Sequence, residues 1–306
     1  MIKHLGVNKT KFYDWEKRYG KTNNHNGLIP RYFWLSSNEK SKIVDFYLRH
    51  QDDGYRRCTY MMIDQDIVYC SASTVYRTLS KEGVISRSNY KESSKGKGFK
   101  QPLKAHEHWH MDISYINMMG TFYYFISVLD GYSRSIIHWE IRQSMTETDV
   151  EIVLQKATEL YPEVKAQVIS DNGSQFIAKD FKEFIRIKGL KHVRTSIAYP
   201  QSNGKIESFH KTLKTDCVRK KALTDYDTAI RVIGDFIDYY NKVRLHSAID
   251  YVTPHDKLYG NAEKRLKERF EKLEKARAKR RKVNKNFLEK KDGNLTANEA
   301  NEVQVY

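Results

Sequence analysis

The sequence predicts an α/β protein in which a mixed five-stranded sheet core follows all-α helix-turn-helix units and precedes a basic helical tail. The first 85 residues place apolar side chains at helical spacing, the middle alternates strand-like and helical segments, and residues 263–291 are rich in lysine and arginine. With 306 residues and a net charge of +16, we expect two domains with smaller attachments and a polyanionic partner.

The N-terminal part predicts short helices of the helix-turn-helix type. Asn8 is a suitable N-cap for the first, which is either half of such a unit or a lone amphipathic helix. A more complete unit spans residues 37–85, where Ser37 is expected to cap the first helix and the last carries Thr74 and Arg77. Small polar residues followed by an arginine are typical of a recognition helix in the major groove of DNA. The alternative is a structural helical bundle.

Residues 105–214 change character and contain 13 acidic and 13 basic residues. Three strand-like runs followed by alternating helix and strand predict the mixed sheet. Strands are predicted at 109–116, 121–129, 135–141, 166–170 and 193–198, and helices at 146–160, 179–188, 204–219 and 225–240. The positive charge therefore lies in the flanks, as expected of arms that hold a phosphate backbone, although charge scatter with one solvated tail is the alternative.

Three acidic residues are expected at one edge of this sheet. Asp112 lies within the first strand, Asp171 ends the fourth, and Glu207 lies in the first turns of the following helix, with 35 residues between it and Asp171. Gly173 permits a sharp turn after Asp171. Taken singly, such residues are more often caps or solvated side chains. Together, three carboxylates suit Mg²⁺ or Mn²⁺ and can hold two ions about 4 Å apart around a phosphodiester.

Four stretches resemble the integrase core of the DDE recombinases, which include retroviral integrases and bacterial insertion-sequence transposases, and a fifth, given last, resembles the segment that follows this core in the insertion-sequence transposases. They are MDISYI (111–116), SVLDGYSRSIIHW (127–139), SDNGSQF (170–176), PQSNGKIESFHKTLK (200–214) and YYNKVRLHSAIDYVTP (239–254). No spacing matches the His/Cys zinc module of retroviral integrases, which favours the bacterial branch. The chain departs from many relatives at Leu245, where they have proline, and at Asp250, where glycine is common.

The resemblance implies an RNase H-like core whose catalytic and metal-binding triad is Asp112, Asp171 and Glu207. It implies two Mg²⁺ or Mn²⁺ ions, cleavage at transposon ends and strand transfer by two-metal transesterification. The implied partners are terminal inverted repeats and target DNA, bound by a homo-oligomer. The candidate DNA contacts are Thr74, Arg77, Lys205, Lys211 and Lys214. The alternatives are a plain metal-dependent endonuclease and a catalytically silent DNA-binding protein derived from a transposase.

Five segments are predicted along the chain. They are 1–35, a partial helix-turn-helix and linker; 36–85, a DNA-binding helix-turn-helix; 86–104, a basic linker; 105–260, the catalytic core with a helical extension; and 261–306, a basic tail, disordered from 292. The sequence has neither a signal peptide nor an apolar stretch long enough for a bilayer. We expect a protein of the bacterial cytoplasm, associated with the nucleoid and not with a membrane.

Overall fold

Among the residues that the computed structural model describes, the N-terminal region contains four α-helices: α1 (Lys9–Arg18), α2 (Ser37–Arg49), α3 (Gly54–Asp64) and α4 (Ala72–Lys81). The structure describes residues 8–20, 31, 33–85, 101–195 and 203–302, with side chains as far as Glu289 except that of Arg18. Most of the predicted linkers, at 21–30 and 86–100, lie outside the described residues.

Side-chain caps set the starts of these helices. The side chain of Asn8 accepts the amide of Thr10 at 3.0 Å, which confirms the predicted N-cap of α1. The N-cap of α2 is Ser36 and not Ser37, because Ser36 and Glu39 form a reciprocal capping box. Helices α2 to α4 pack around a cluster of their own, whose buried members are Ile43, Phe46, Cys58, Met62, Val68, Cys70, Val75 and Leu79.

A five-stranded sheet forms the centre of the molecule. Its strands are β1 (His108–Met118), β2 (Thr121–Asp130), β3 (Ile136–Arg142), β4 (Gln167–Ser170) and β5 (Lys191–Arg194), in the order β3-β2-β1-β4-β5. Strands β1 to β3 pair antiparallel, whereas β4 pairs parallel with both β1 and β5, so the predicted mixed sheet is confirmed. The fifth strand begins two residues before the predicted start, and residues 196–198 lie outside the described part.

Helices cover both faces of the sheet. They are α5 (Glu147–Leu160), the unpredicted short α6 (Ser174–Ile177), α7 (Lys179–Ile187), α8 (Gly204–Thr212) and α9 (Tyr226–Lys242). One apolar cluster packs α5 and α7 against residues such as Met111 and Val128. A second packs α8 and α9 against Phe125 and Leu129. The predicted helix at 204–219 is not uniform, since its residues Leu213–Val218 form a π-helical segment.

The chain after α9 turns tightly before helix α10 (Pro254–Leu258). Asp250, where relatives commonly have glycine, has a φ of +60°, and aspartate is among the residues that tolerate this left-handed conformation. Pro254 begins α10, a position where its missing amide costs no hydrogen bond. The guanidinium of Arg57 on α3 donates to the carbonyl of Leu245 at 2.9 Å, which links the helical region to this turn.

The basic tail is one long helix, α11 (Ala262–Glu302). The prediction of disorder from residue 292 is therefore wrong as far as 302, where helix formers such as Ala297, Glu299 and Ala300 continue the segment. The helix contacts the N-terminal region through ion pairs, including Arg269–Asp64 and Lys272–Asp66. No helix in the described ranges is long and apolar enough to cross a membrane.

Candidate active site

Two of the candidate acids lie on or just beyond neighbouring strands, toward the same end of the sheet. Strands β1 and β4 run parallel, and their last paired residues are His110 and Ile169. Asp112 and Asp171 each lie two residues beyond that pair, so both continue in the same direction and on matching positions of the pleat. The topology thus brings these two positions to neighbouring places, as the sequence predicted.

Helix α8 carries the third acid, Glu207, to the first strand. Ile206 and Phe209 are buried in the cluster that covers this face of the sheet, which leaves Glu207 exposed between them. Asn203 immediately precedes the helix and is buried, and its Nδ2 donates to the carbonyl of Met111 at 3.4 Å. The start of α8 is therefore tied to the residue before Asp112.

The charges of Asp112 and Glu207 act on each other. Partial burial raises the pKa of Glu207, the nearby Asp112 carboxylate raises it further, and His210 opposes the change. Two carboxylates that repel each other in this way would be relieved by a shared cation. Asp112 is largely buried, and its Oδ1 accepts the amide of Ile113 at 2.9 Å.

His210 joins this pair and was missed by the sequence reasoning. It is buried, with Nδ1 3.3 Å from Oδ2 of Asp112 and Nε2 3.3 Å from Oγ of Ser127. Its place three residues after Glu207, on the same side of α8, was a signal available in the sequence. The contact on each ring nitrogen fixes the imidazole against the Asp112 carboxylate.

Asp171 lies at the end of β4 and is exposed. Its Oδ1 accepts the amide of Gly173 at 3.0 Å. The φ of Gly173 is −54°, which any residue can adopt, so the predicted need for a special turn is wrong. The glycine instead provides space, because a Cβ there would lie 3.1 Å from Oδ1 of Asp171. Nδ2 of Asn172 donates to the carbonyl of Thr195 at 2.8 Å and joins the ends of β4 and β5.

The described residues do not assemble a complete metal site. Within them, no three His, Cys, Asp or Glu side chains are grouped so that they could hold one ion. Asp112 and Glu207 interact, Asp171 stands outside that group, and residues 196–202, which lead into α8, are not described. The donors themselves fit a hard divalent cation, since all three are carboxylates and two of them repel each other.

The three lysines predicted to contact DNA differ in their surroundings. The ammonium of Lys205 donates to the carbonyl of Gly131 at 2.7 Å, and burial beside Arg134 lowers its pKa to about 8. Lys211 is exposed, whereas Lys214 is half-buried in the π-helical segment. A π turn contains more residues than an α turn, so Lys214 does not keep the α-helical register of Glu207 and Lys211.

The two predicted contacts on α4 lie near its start. Ser71 caps the helix and accepts the amide of Thr74 at 3.3 Å. Thr74 is half-buried, whereas Arg77 is exposed and its Nε donates to the carbonyl of Ser73 at 3.3 Å. The guanidinium of Arg77 thus stays at the surface, where DNA could reach it.

Comparisons with known proteins agree with this fold. Two family profiles, both described as an integrase core domain, match residues 102–200 and 188–254. The protein of insertion element IS136 from Agrobacterium fabrum, itself described as uncharacterized, is 35% identical over 134 residues, 42% of this chain and 69% of that protein. The transposase of IS904 from Lactococcus lactis is 30% identical over 151 residues, 48% of this chain and 59% of that protein.

Among solved structures, a chain of the simian T-cell lymphotropic virus intasome, in complex with a PP2A regulatory subunit, matches at 14% identity. The TM-score is 0.48, over 71% of this chain and 74% of that one. The sheet order and the two helical layers define an RNase H-like protein with an integrase-type core. The chain belongs to the integrase-core family of insertion-sequence transposases.

Proposed function

We propose that this protein cleaves DNA at the ends of a transposon and joins those ends to target DNA. The observation that carries the proposal is the interaction of Asp112 with Glu207, beside the strand end that holds Asp171, in a chain of the integrase-core family. Carboxylates kept together with no arginine or lysine paired to them among the described residues suit a metal-dependent phosphoryl transfer site.

Asp112, Asp171 and Glu207 would hold Mg²⁺ or Mn²⁺, with two ions in the active complex. When bound, the ions supply activation of the attacking water or 3′-hydroxyl and stabilisation of the leaving 3′-oxygen. His210 keeps the Asp112 carboxylate in one orientation through the 3.3 Å contact of its Nδ1. Asn203 holds the start of α8 against β1, which keeps Glu207 beside Asp112.

The DNA partners would be the terminal inverted repeats and the target, engaged by a homo-oligomer. In this proposal Thr74 and Arg77 of α4 contact the repeats, and Lys211 and Lys214 hold DNA beside the acids. Lys205 would have to release the Gly131 carbonyl to do the same. The proposed parts are the partial helix-turn-helix and linker at 1–35, the helix-turn-helix at 36–85, the basic linker at 86–104, the catalytic core at 105–260 and the basic tail at 261–306.

The test uses purified full-length protein, Mg²⁺, a labelled DNA fragment carrying one transposon end, and a plasmid target. We expect nicking at the end and joining of its 3′ strand to the plasmid. Asp112→Asn and Asp171→Asn should each abolish both steps and leave DNA binding intact, whereas Asp235→Asn, an exposed acid on α9, should change neither. Cleavage that survives Asp171→Asn would overturn the triad, and cleavage without joining would identify an endonuclease.

A further inference from the structure

A cleft of about 520 Å³ separates α2 from α11, and no part of its described lining comes from the sheet. Two aromatic side chains and a series of cations dominate its walls. The residues on which the inference depends are Trp34, Lys42, Tyr69, Lys275, Lys279 and Arg280. The cleft is therefore a feature separate from the candidate active site.

The walls of the cleft carry more positive charge than their acids neutralise. Arg280 is paired with Glu39, the single acid of the lining, and Lys272 is paired with Asp66. Lys42, Lys275 and Lys279 are exposed and have no carboxylate partner among the side chains that the structure describes. A concave surface with several unneutralised ammonium groups attracts a polyanion.

The unpaired cations are spread over the cleft, two of them along α11 and the third on the opposite wall. Lys275 and Lys279 lie one turn apart on α11, roughly 6 Å along the helix axis. Lys42 extends from α2, the facing wall. A positively charged groove with cations along its length follows a nucleic-acid backbone, in which every nucleotide contributes a phosphate.

Ion pairs hold the two walls together before any ligand arrives. The guanidinium of Arg280 donates to Glu39 on α2, at 2.6 Å, and to the carbonyl of Tyr69, at 2.7 Å. Arg269 makes two further bonds from α11 to Asp64 on α3. The groove is thus preorganised, which reduces the entropy lost on binding.

The groove opens beside the start of α4. Tyr69 lines the cleft, and two residues later Ser71 caps the helix that carries Thr74 and Arg77. We propose that this cleft binds the phosphate backbone of duplex DNA next to the base pairs contacted by α4. The inference rests on the proposed function, since it requires that the protein act on DNA, and it adds a second contact surface made jointly by α2 and α11.

The test compares two triple variants of the full-length protein that remove the same charge. The groove variant is Lys42→Ala/Lys275→Ala/Lys279→Ala. The control is Lys179→Ala/Lys182→Ala/Lys191→Ala, which changes exposed lysines of α7 and β5. Binding of a fluorescent random-sequence duplex is measured by anisotropy over a series of salt concentrations, and circular dichroism checks that both variants are folded.

We expect the groove variant to bind at least roughly tenfold more weakly than the control variant near 0.1 M salt. Each phosphate contact accounts for about 0.9 of the slope of log K against log salt, so the slope should fall by up to roughly 2.7 in the groove variant only. Equal losses in both variants, or no loss in the groove variant, would overturn the cleft while DNA binding by the wild type stands. A wild type that binds no duplex would overturn the proposed function as well.

Discussion

The acids of the helical region and those of the sheet edge are held in opposite ways. Glu39 and Asp64 each pair with an arginine of α11, whereas Asp112 and Glu207 lie close enough for the charge of Asp112 to affect Glu207. Burial favours the neutral form of Glu39, but hydrogen bonds from Arg280 and Ser36 outweigh it and lower its pKa. Burial and Asp112 raise the pKa of Glu207. Carboxylates thus hold helices together where an arginine is paired with them, and they remain available to a metal ion where no arginine or lysine is paired with them.

The difference between the two regions is tested most directly by neutralising one acid that is paired with an arginine and one acid of the candidate active site. Glu207→Gln should abolish DNA cleavage and joining, by roughly a thousandfold or more, or about 4 kcal/mol of transition-state stabilisation. It should not destabilise the fold, because it removes a repulsion with Asp112. Glu39→Gln should do the reverse, leaving the single-turnover rate at saturating DNA unchanged and lowering stability.

The measurements are single-turnover cleavage rates and urea unfolding of both variants. A Glu207→Gln protein that retains cleavage would remove Glu207 from the triad. A Glu39→Gln protein that loses as much activity as Glu207→Gln would show that the distinction between fastening and catalytic acids does not hold.

The next largest effect concerns the clamp, the ion pairs Arg269–Asp64, Lys272–Asp66 and Arg280–Glu39 between α11 and the helical region, in which Arg269 is the most buried cation. Its side chain is 4% exposed, contacts both oxygens of Asp64 at 2.6 and 2.7 Å, and lies 5.0 Å from the ring centre of Tyr60. Arg269→Ala leaves the Asp64 carboxylate without its main partner, and we expect a loss of about 3 kcal/mol in the free energy of unfolding.

A matched control lies on the same helix. Arg277 is exposed and paired with Glu274 within α11, so Arg277→Ala should cost no more than about 0.5 kcal/mol. Urea unfolding gives both values. Equal costs for the two variants would show that α11 is not fastened through Arg269.

The sequence predicted the parts of the molecule that depend on local patterns. The alternation along β1 and the apolar run before Asp171 placed both acids at strand positions, and Asn8 marked the start of α1. The clamp could not be predicted, because Arg269 and Asp64 are 205 positions apart and Arg280 and Glu39 are 241 apart. Periodicity shows which face of a helix is polar and does not show which distant acid it meets.

The contact of His210 with Asp112 could not be predicted either, because it too depends on the packing of separate elements. It depends on how α8 packs across β1, and β2 supplies the Ser127 hydroxyl on the other side of the ring. Likewise, the basic character of residues 263–291 predicted a DNA-binding arm, but several of these cations contact acids of the chain itself. Composition gives the number of charged residues, whereas the fold determines which of them are left unpaired and can bind DNA.

A smaller effect is expected at His210, which orients the Asp112 carboxylate. No arginine or lysine pairs with that carboxylate among the described residues. His210→Phe keeps the ring volume and removes both ring-nitrogen contacts, to Asp112 and Ser127. Loss of such an outer partner typically weakens metal affinity by roughly 10- to 100-fold. The Mg²⁺ concentration for half-maximal cleavage should rise accordingly, with metal-free DNA binding unchanged.

His210→Asn supplies the internal control, because its amide can place a donor near the position of Nδ1. It should recover part of the Mg²⁺ affinity lost in His210→Phe. If both variants match the wild type in Mg²⁺ dependence while lowering stability, His210 is a packing residue and the orienting role is wrong.

The smallest effect is a pH dependence whose sign differs between the two regions. The pKa of Glu39 in the folded protein is below its ordinary value of 4.5, so its ionised form stabilises the fold. That contribution is complete above pH 4.5 and is lost as the pH falls through the lowered pKa. The pKa of Glu207 is raised, so its contribution is present below pH 4.5 and is lost as the pH rises through the raised value.

Unfolding by urea from pH 7 down to below pH 4.5 therefore separates the two acids. Glu39→Gln should be less stable than the wild type by about 1 kcal/mol at pH 7, and the difference should shrink below pH 4.5. Glu207→Gln should be at least as stable as the wild type at pH 7 and lose this advantage on acidification. Differences of the same sign in both variants would mean that Glu207 has a cation partner in the folded protein, as Glu39 has, and that the opposition between the two regions is wrong.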